Sequence, residues 1–101
     1  MNSIDMHTGM LKLKEQVREL VLEEKYAIQW HHILSRHPNI TEDDIINGLL
    51  YGYYKPDREM EGQYISGSRM NYPPGLIRIV FEVHETDAGN LVRIITAFDE
   101  D

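Results

Sequence analysis

The feature that most constrains this chain is a pair of alternating segments near its C-terminal end. Residues 76–84 place Ile77, Ile79, Phe81 and Val83 on one side and Arg78, Val80, Glu82 and His84 on the other. A period of two is the mark of a half-buried strand. Residues 91–98 alternate as well, with Val92, Ile94, Thr96 and Phe98 predicted on one face and Arg93, Ile95 and Ala97 on the other. Between them lie Asp87 and Gly89, the residue types of a hairpin loop. The two segments therefore predict an antiparallel strand pair.

The region before this hairpin has a helical period. Met10, Leu13, Val17, Leu20 and Val21 recur at three and four residues and predict a helix over 10–24. Its stripe can face the chain's own core or that of a second copy, a homodimer through the first helix. A second helix is expected over 26–37, with Lys25 to Ala27 extended before it, and Pro38 stops it. A third is expected over 41–51. Thr41 is its N-cap, Asp44 its capping-box partner, and Asp43 and Asp44 suit the positive end of its dipole. Ile45, Ile46, Leu49 and Leu50 form its buried face, and Gly52 can end it.

Pro56 and Asp57 mark a connection, residues 63–65 a short strand, and the Ser-, Gly-, Asn- and Pro-rich residues 66–75 a loop carrying Arg69. Residues 1–9 read as a frayed tail and 99–101 as a solvated acidic end. Helices first and strands later predict an α+β fold: one domain over 10–98, with N-terminal helices packed on a curved antiparallel sheet of three to four strands. At 101 residues the chain can bury roughly 60–70% of its unfolded surface, enough for one core.

Composition narrows the function. With no cysteine, disulfide scaffolds, thiol catalysis and sulfur-ligated zinc are excluded. No apolar run is long enough to span a bilayer, and no secretory signal is visible, so a soluble, cytoplasmic protein without a membrane partner is expected. The net charge of −7 excludes a broad basic face. Residues 25–84 are only −1, however, and a local basic site there is allowed.

The densest group of chemistry-bearing side chains is His31, His32, Arg36 and His37. On a helix His32 and Arg36 share a face. An imidazole exchanges protons near neutral pH and a guanidinium holds a phosphate bidentately, a pairing suited to phosphodiester chemistry. The same residues also fit a helix end whose histidines bond backbone carbonyls. As metal ligands they are poorly spaced, since His32 and His37 do not share a helical face. Glu42, Asp43 and Asp44 read as dipole ligands, so no metal site is expected.

The segment Gln63-Tyr64-Ile65-Ser66-Gly67-Ser68-Arg69 offers hydroxyls and one cation but matches neither a P-loop nor GxSxG. Arg78, Arg93 and His84 would line a groove if the two strands present them to the same side; the plainer reading is a solvated sheet face. Tyr51, Tyr53, Tyr54, Tyr64 and Tyr72 can stack bases or cover the edge of a small core. Trp30 reads as a core anchor. No cofactor motif is present.

Three segments taken together resemble a known group. They are His32-Ile33-Leu34-Ser35-Arg36-His37-Pro38-Asn39-Ile40, then Gly52-Tyr53-Tyr54-Lys55-Pro56-Asp57, then the closing strand pair ending Thr96-Ala97-Phe98. The chain here resembles the small toxin-like and phage-type domains of unknown function in the barnase–EndoU–colicin–RelE superfamily, over about residues 26–98. The resemblance implies a metal-independent RNase, with helices on one side of a curved antiparallel sheet and RNA on the other.

Carried over, His32 would be the helix histidine, Arg36 its basic companion and Thr96 the polar residue of the last strand. Arg69 or Tyr64 would serve from the middle segment, and His37, Arg78 and Arg93 would bind substrate. Arg36 and Arg69, or Arg78, would hold the scissile phosphate, and His32 would take the 2′-hydroxyl proton or return one to the leaving oxygen. Such toxins tend to be basic, and Phe98 stands where a tyrosine is usual. An acidic interaction module of the immunity or antitoxin type, bound to a cognate toxin, is the competing expectation.

Overall fold

The computed structural model describes residues 3–34, 39–71 and 74–100. Helix α1 runs Ser3–Leu22, strand β1 Tyr26–Ile28, helix α2 Trp30–Leu34 and helix α3 Glu42–Tyr51. Strands β2 (Tyr53–Pro56), β3 (Tyr64–Asn71), β4 (Pro74–Thr86) and β5 (Gly89–Glu100) follow. The architecture is α+β, as expected. The sheet has five strands in the order β1-β5-β4-β3-β2, rather than three to four. It is mixed, because β1 pairs parallel with β5 while every other pairing is antiparallel.

Several boundaries differ from the expectations. Residues 3–9, expected to be frayed, are helical. The helix expected over 26–37 is described as Trp30–Leu34, and residues 26–28 before it form an edge strand, in line with the extended segment expected at 25–27. Their backbone extends the β5 ladder, where Val92 N–H donates to Lys25 O at 3.0 Å and Gln29 N–H to Ile94 O at 3.2 Å. The connection at 53–56 and the polar loop at 66–71 are both strands, paired with one another and with β4. Finally, β5 continues through Asp99 and Glu100, which pair with Ile77 and Leu76, so the acidic end is not a free tail.

All three helices lie on one face of the sheet: α1 packs on α3 and β5, α2 on β5, and α3 on β3 and β4. The first-helix stripe is taken up by the chain's own core. Val17 and Val21 are buried, and Leu13 and Leu20 pack against them. Ile33, Ile45 and Leu49 of the helices meet Ile77, Ile79, Phe81, Val92, Ile94 and Ala97 of the sheet. Trp30 is half-buried against the same cluster.

Ala97 is where the simple alternation fails. Phe81 pairs with Ile94 but Val80 pairs with Thr96, so Ile95 is an extra residue with no partner opposite. A bulge of this kind shifts the phase of the strand by one. It puts Ala97 on the core side with Val92 and Ile94 and sends Thr96 and Phe98 to the outer face.

Helix α3 begins as expected. Thr41 Oγ1 accepts from Asp44 N–H at 3.2 Å and Asp44 Oδ2 accepts from Thr41 N–H at 3.0 Å, a complete capping box. It ends at Gly52, but in an extended conformation rather than a left-handed one. Glycine is needed there for space: a Cβ would stand 2.5 Å from Gly48 O and 2.8 Å from Gly67 O. The β4–β5 turn does require a left-handed residue, Gly89 at φ 112°. Thr86 Oγ1 braces it by donating to Gly89 O at 2.6 Å and accepting from Ala88 N–H at 3.2 Å.

Candidate anion-binding cleft

The corner where α3 turns into β2 is built on small residues. Gly48 brings α3 so close to the sheet that a Cβ there would press on Ile79 Cδ1 and lie 3.2 Å from Ser68 Oγ. The buried Ser66 hydroxyl donates to Gly48 O at 2.5 Å, tying β3 to the helix. The Tyr54 hydroxyl donates to Leu49 O, and its ring stacks edge-on to Phe81 at 5.1 Å. Burial pushes the Tyr54 phenol well above the usual tyrosine range, because ionisation would strand a charge beside the core.

The last turn of α3 carries no basic residue of its own. The cation that suits its negative end comes from α1: Lys14 Nζ donates to Gly52 O at 2.8 Å and lies 5.7 Å from the Tyr54 ring centroid. One turn further along α1, Arg18 lies 5.8 Å from the Tyr51 ring centroid.

Beside this corner a cleft of about 640 Å³ opens, within the size range of small-ligand sites. Asn47, Tyr51 and Ser68 line it from the helix side, and Tyr53, Lys55, Arg69, Leu76 and Arg78 from the outer side of the sheet. Gly67 forms its floor, and a Cβ there would stand 3.9 Å from Arg78 Nη1, so the guanidinium lies over the bare backbone. Lys55, Arg69 and Arg78 bring three cations to this cleft, on a chain of net charge −7. Tyr51 and Tyr53 are exposed, Tyr53 to 89%. A site with these groups can hold an anion on its cations and offer aromatic faces to a planar ring.

The residues singled out from sequence do not gather in one place. Arg69 and Arg78 meet in the cleft. Tyr64 does not line it and packs instead on Phe81, with ring centroids 6.0 Å apart. Thr96 is half-buried on the outer face of β5, opposite Val80. Arg93 is on that same face but is engaged, with Nη1 3.4 Å from Glu82 Oε1. With its amide turned to satisfy both groups, Gln29 also accepts from Arg93 Nη2 at 2.8 Å and Nε at 2.9 Å.

His84, near the β4–β5 turn, is six residues along β4 from Arg78, about 20 Å at the usual rise. His31 and His32 are exposed on α2, which packs on β5, two strands from β3. Arg36 and His37 lie outside the described residues, as does Tyr72. Among the described residues no three His, Asp or Glu side chains stand close enough to hold a metal ion. Glu42, from the expected dipole cluster, accepts a 2.7 Å hydrogen bond from the Tyr26 hydroxyl. That bond, more than burial, holds the Tyr26 phenol above its usual range.

Sequence reasoning missed Lys55 and Asn47. The signal for Lys55 was present: in Tyr53-Tyr54-Lys55-Pro56, residues 53 and 55 share one face of a short strand, but Pro56 disguised the strand as a turn. No helix among the described residues is long and apolar enough to cross a membrane. No family model, curated protein or solved structure matches the chain.

Proposed function

We propose that this chain binds RNA through the cleft, as an RNase-like domain of the toxin or phage-accessory kind. The observation that carries the reading is the convergence of Lys55, Arg69 and Arg78 in the cleft of a chain whose net charge is −7. Guanidinium groups hold phosphate through paired, charge-assisted hydrogen bonds. Tyr51 and Tyr53 offer exposed rings on which flanking bases stack without regard to sequence. The resemblance to the barnase–EndoU–colicin–RelE superfamily points to the same ligand.

Cleavage, in this proposal, needs no metal: a base takes the ribose 2′-hydroxyl proton as the 2′-oxygen bonds to phosphorus, the P–O5′ bond breaks and the 5′-oxygen leaves with a proton, giving a 2′,3′-cyclic phosphate, while the arginines stabilise the charge that grows on the phosphate. His32 does not line the cleft, so it stands too far away to take the 2′-hydroxyl proton beside a phosphate held by Arg69 and Arg78, and the base of this step is not His32. His32→Ala is accordingly expected to leave both binding and cleavage unchanged.

The test is a fluorescence-anisotropy titration with a labelled single-stranded RNA of about ten nucleotides in EDTA, repeated over a salt series. Each phosphate contact steepens the log–log salt dependence by about 0.7 for a single strand. Arg69→Gln is expected to weaken binding several-fold and lower that slope by about one contact. A cleavage assay on the same RNA accompanies it. An affinity that does not change in Arg69→Gln and in Lys55→Gln would sink the cleft as the RNA site.

A further inference from the structure

We infer that the open edge of β3 at residues 68–71 docks an extended acidic segment of a partner protein, added to the sheet in line with β2. This goes beyond the RNA reading and does not rest on it. Strand β2 pairs with β3 only over residues 64–67, ending with Tyr53 opposite Gly67. Strand β3 continues for four more residues, all paired with β4 on their other side. Among the described residues no strand and no backbone hydrogen bond occupies the second edge of that overhang. An uncovered edge is a template for strand addition unless it is blocked.

The other two edges are poor templates. Strand β1 has three residues, and β2 has four and ends in a proline. The cleft lies where a longer β2 would run. It is bounded by Tyr53 at the end of β2 and by Gly67, Ser68 and Arg69 along β3. Asn47 and Tyr51 wall it on the helix side of the sheet, and Leu76 and Arg78 on the other.

A strand laid there would alternate its side chains between those two walls, as every strand does. The outer wall carries Lys55 and Arg69, so carboxylates suit the guest side chains that point to it, every second one along the strand. The helix-side wall carries an amide, a phenol and a serine, which suits uncharged side chains in between. The occupant is therefore an extended segment with Asp or Glu at alternate positions, about four residues deep.

The probe is a random 12-residue peptide library selected on the immobilised full chain, followed by amide hydrogen exchange with the enriched peptide. Enriched sequences are expected to carry acids at every second position. The bound peptide should slow exchange of the outward-facing amides within residues 68–71 by at least tenfold, and Arg69→Glu should weaken it by at least tenfold. Methylating the peptide's backbone nitrogens should abolish binding.

A library that yields no binder would overturn the proposal, as would enrichment without the alternation or peptides that bind without protecting residues 68–71. A single-stranded RNA bound through phosphates leaves those backbone amides exchanging freely. Its titration therefore passes or fails independently of the peptide's.

Discussion

Gly48→Ala sets two known effects against each other, and the geometry decides between them. In an open helix interior the change would stabilise by about 1 kcal/mol, because glycine is the poorer helix former. Position 48 is not open. The new methyl would meet Ile79 Cδ1 and lie 3.2 Å from Ser68 Oγ. Ile79 is fully buried, so its Cδ1 cannot move without displacing its neighbours. Overpacking a filled core typically costs 1–3 kcal/mol. The net expectation is a loss of about 1 kcal/mol, roughly 4–8 °C in Tm for a domain near this size.

Ile79→Val removes the obstructing methyl and on its own costs about 0.5–1.5 kcal/mol. In the double variant the alanine methyl fills the space that Cδ1 vacated. The pair should therefore be more stable than the sum of the two single changes by at least 1 kcal/mol. Urea denaturation followed by Trp30 fluorescence and far-ultraviolet dichroism measures all four proteins. Stabilisation by Gly48→Ala alone, or strict additivity across the cycle, would refute the close approach of α3 to β4.

Three further perturbations test other parts of the structure. Tyr54→Phe should cost about 1 kcal/mol at neutral pH through the lost hydrogen bond to Leu49 O. Because the Tyr54 phenol is raised in the fold, its contribution is complete below the unfolded value near 10 and falls as the pH rises past it. Denaturation curves between pH 9 and about 11.5 should accordingly show the wild type losing stability more steeply than Tyr54→Phe, and parallel curves would contradict that burial. Thr41→Ala removes the α3 cap and should cost about 1 kcal/mol, read as a lower urea midpoint with an unchanged slope. Deleting Ile95 removes the bulge residue and leaves Ile94, Thr96 and Ala97 opposite Phe81, Val80 and Ile79 in an uninterrupted ladder, so the variant should still unfold cooperatively, and a deletion variant that cannot fold would contradict the register of β4 and β5.

The parts of the fold legible in the sequence are those where one local signal acts alone. The α1 stripe, the Thr41 cap with Asp44, and the alternation of Ile77, Ile79, Phe81 and Val83 each carry their own evidence. What stayed hidden depends on partners distant in sequence. Nothing within residues 66–71 says strand. Ser66 is buried only because Gly48, eighteen positions away, offers its carbonyl and no side chain. The phase of β5 was lost for a related reason, since a bulge is a property of two strands and Ile95 looks regular on its own. For the candidate site, Arg69 and Arg78 were visible as cations, and the tyrosines as possible stacking faces. Their convergence with Lys55 was not, because it needs β2, β3 and β4 to lie side by side.

The cleft follows from how α3 is forced to become β2. Helix and strand are separated by Gly52 alone, and Gly52 is held by its own N–H to Gly48 O at 2.9 Å and by Lys14 on its carbonyl. A chain pinned there cannot run further along β3, so β2 starts at Tyr53 while β3 and β4 continue past it. The shortfall leaves the last stretch of β3 with a strand-wide space beside it, and the same turn sets Tyr51 and Tyr53 at its mouth. Any residue larger than glycine at 52 would collide with the carbonyls of Gly48 and Gly67 and push α3 away from the sheet. The cationic lining and the open edge are thus consequences of one tight junction, and a change that loosens that junction should disturb the cleft before it disturbs the core.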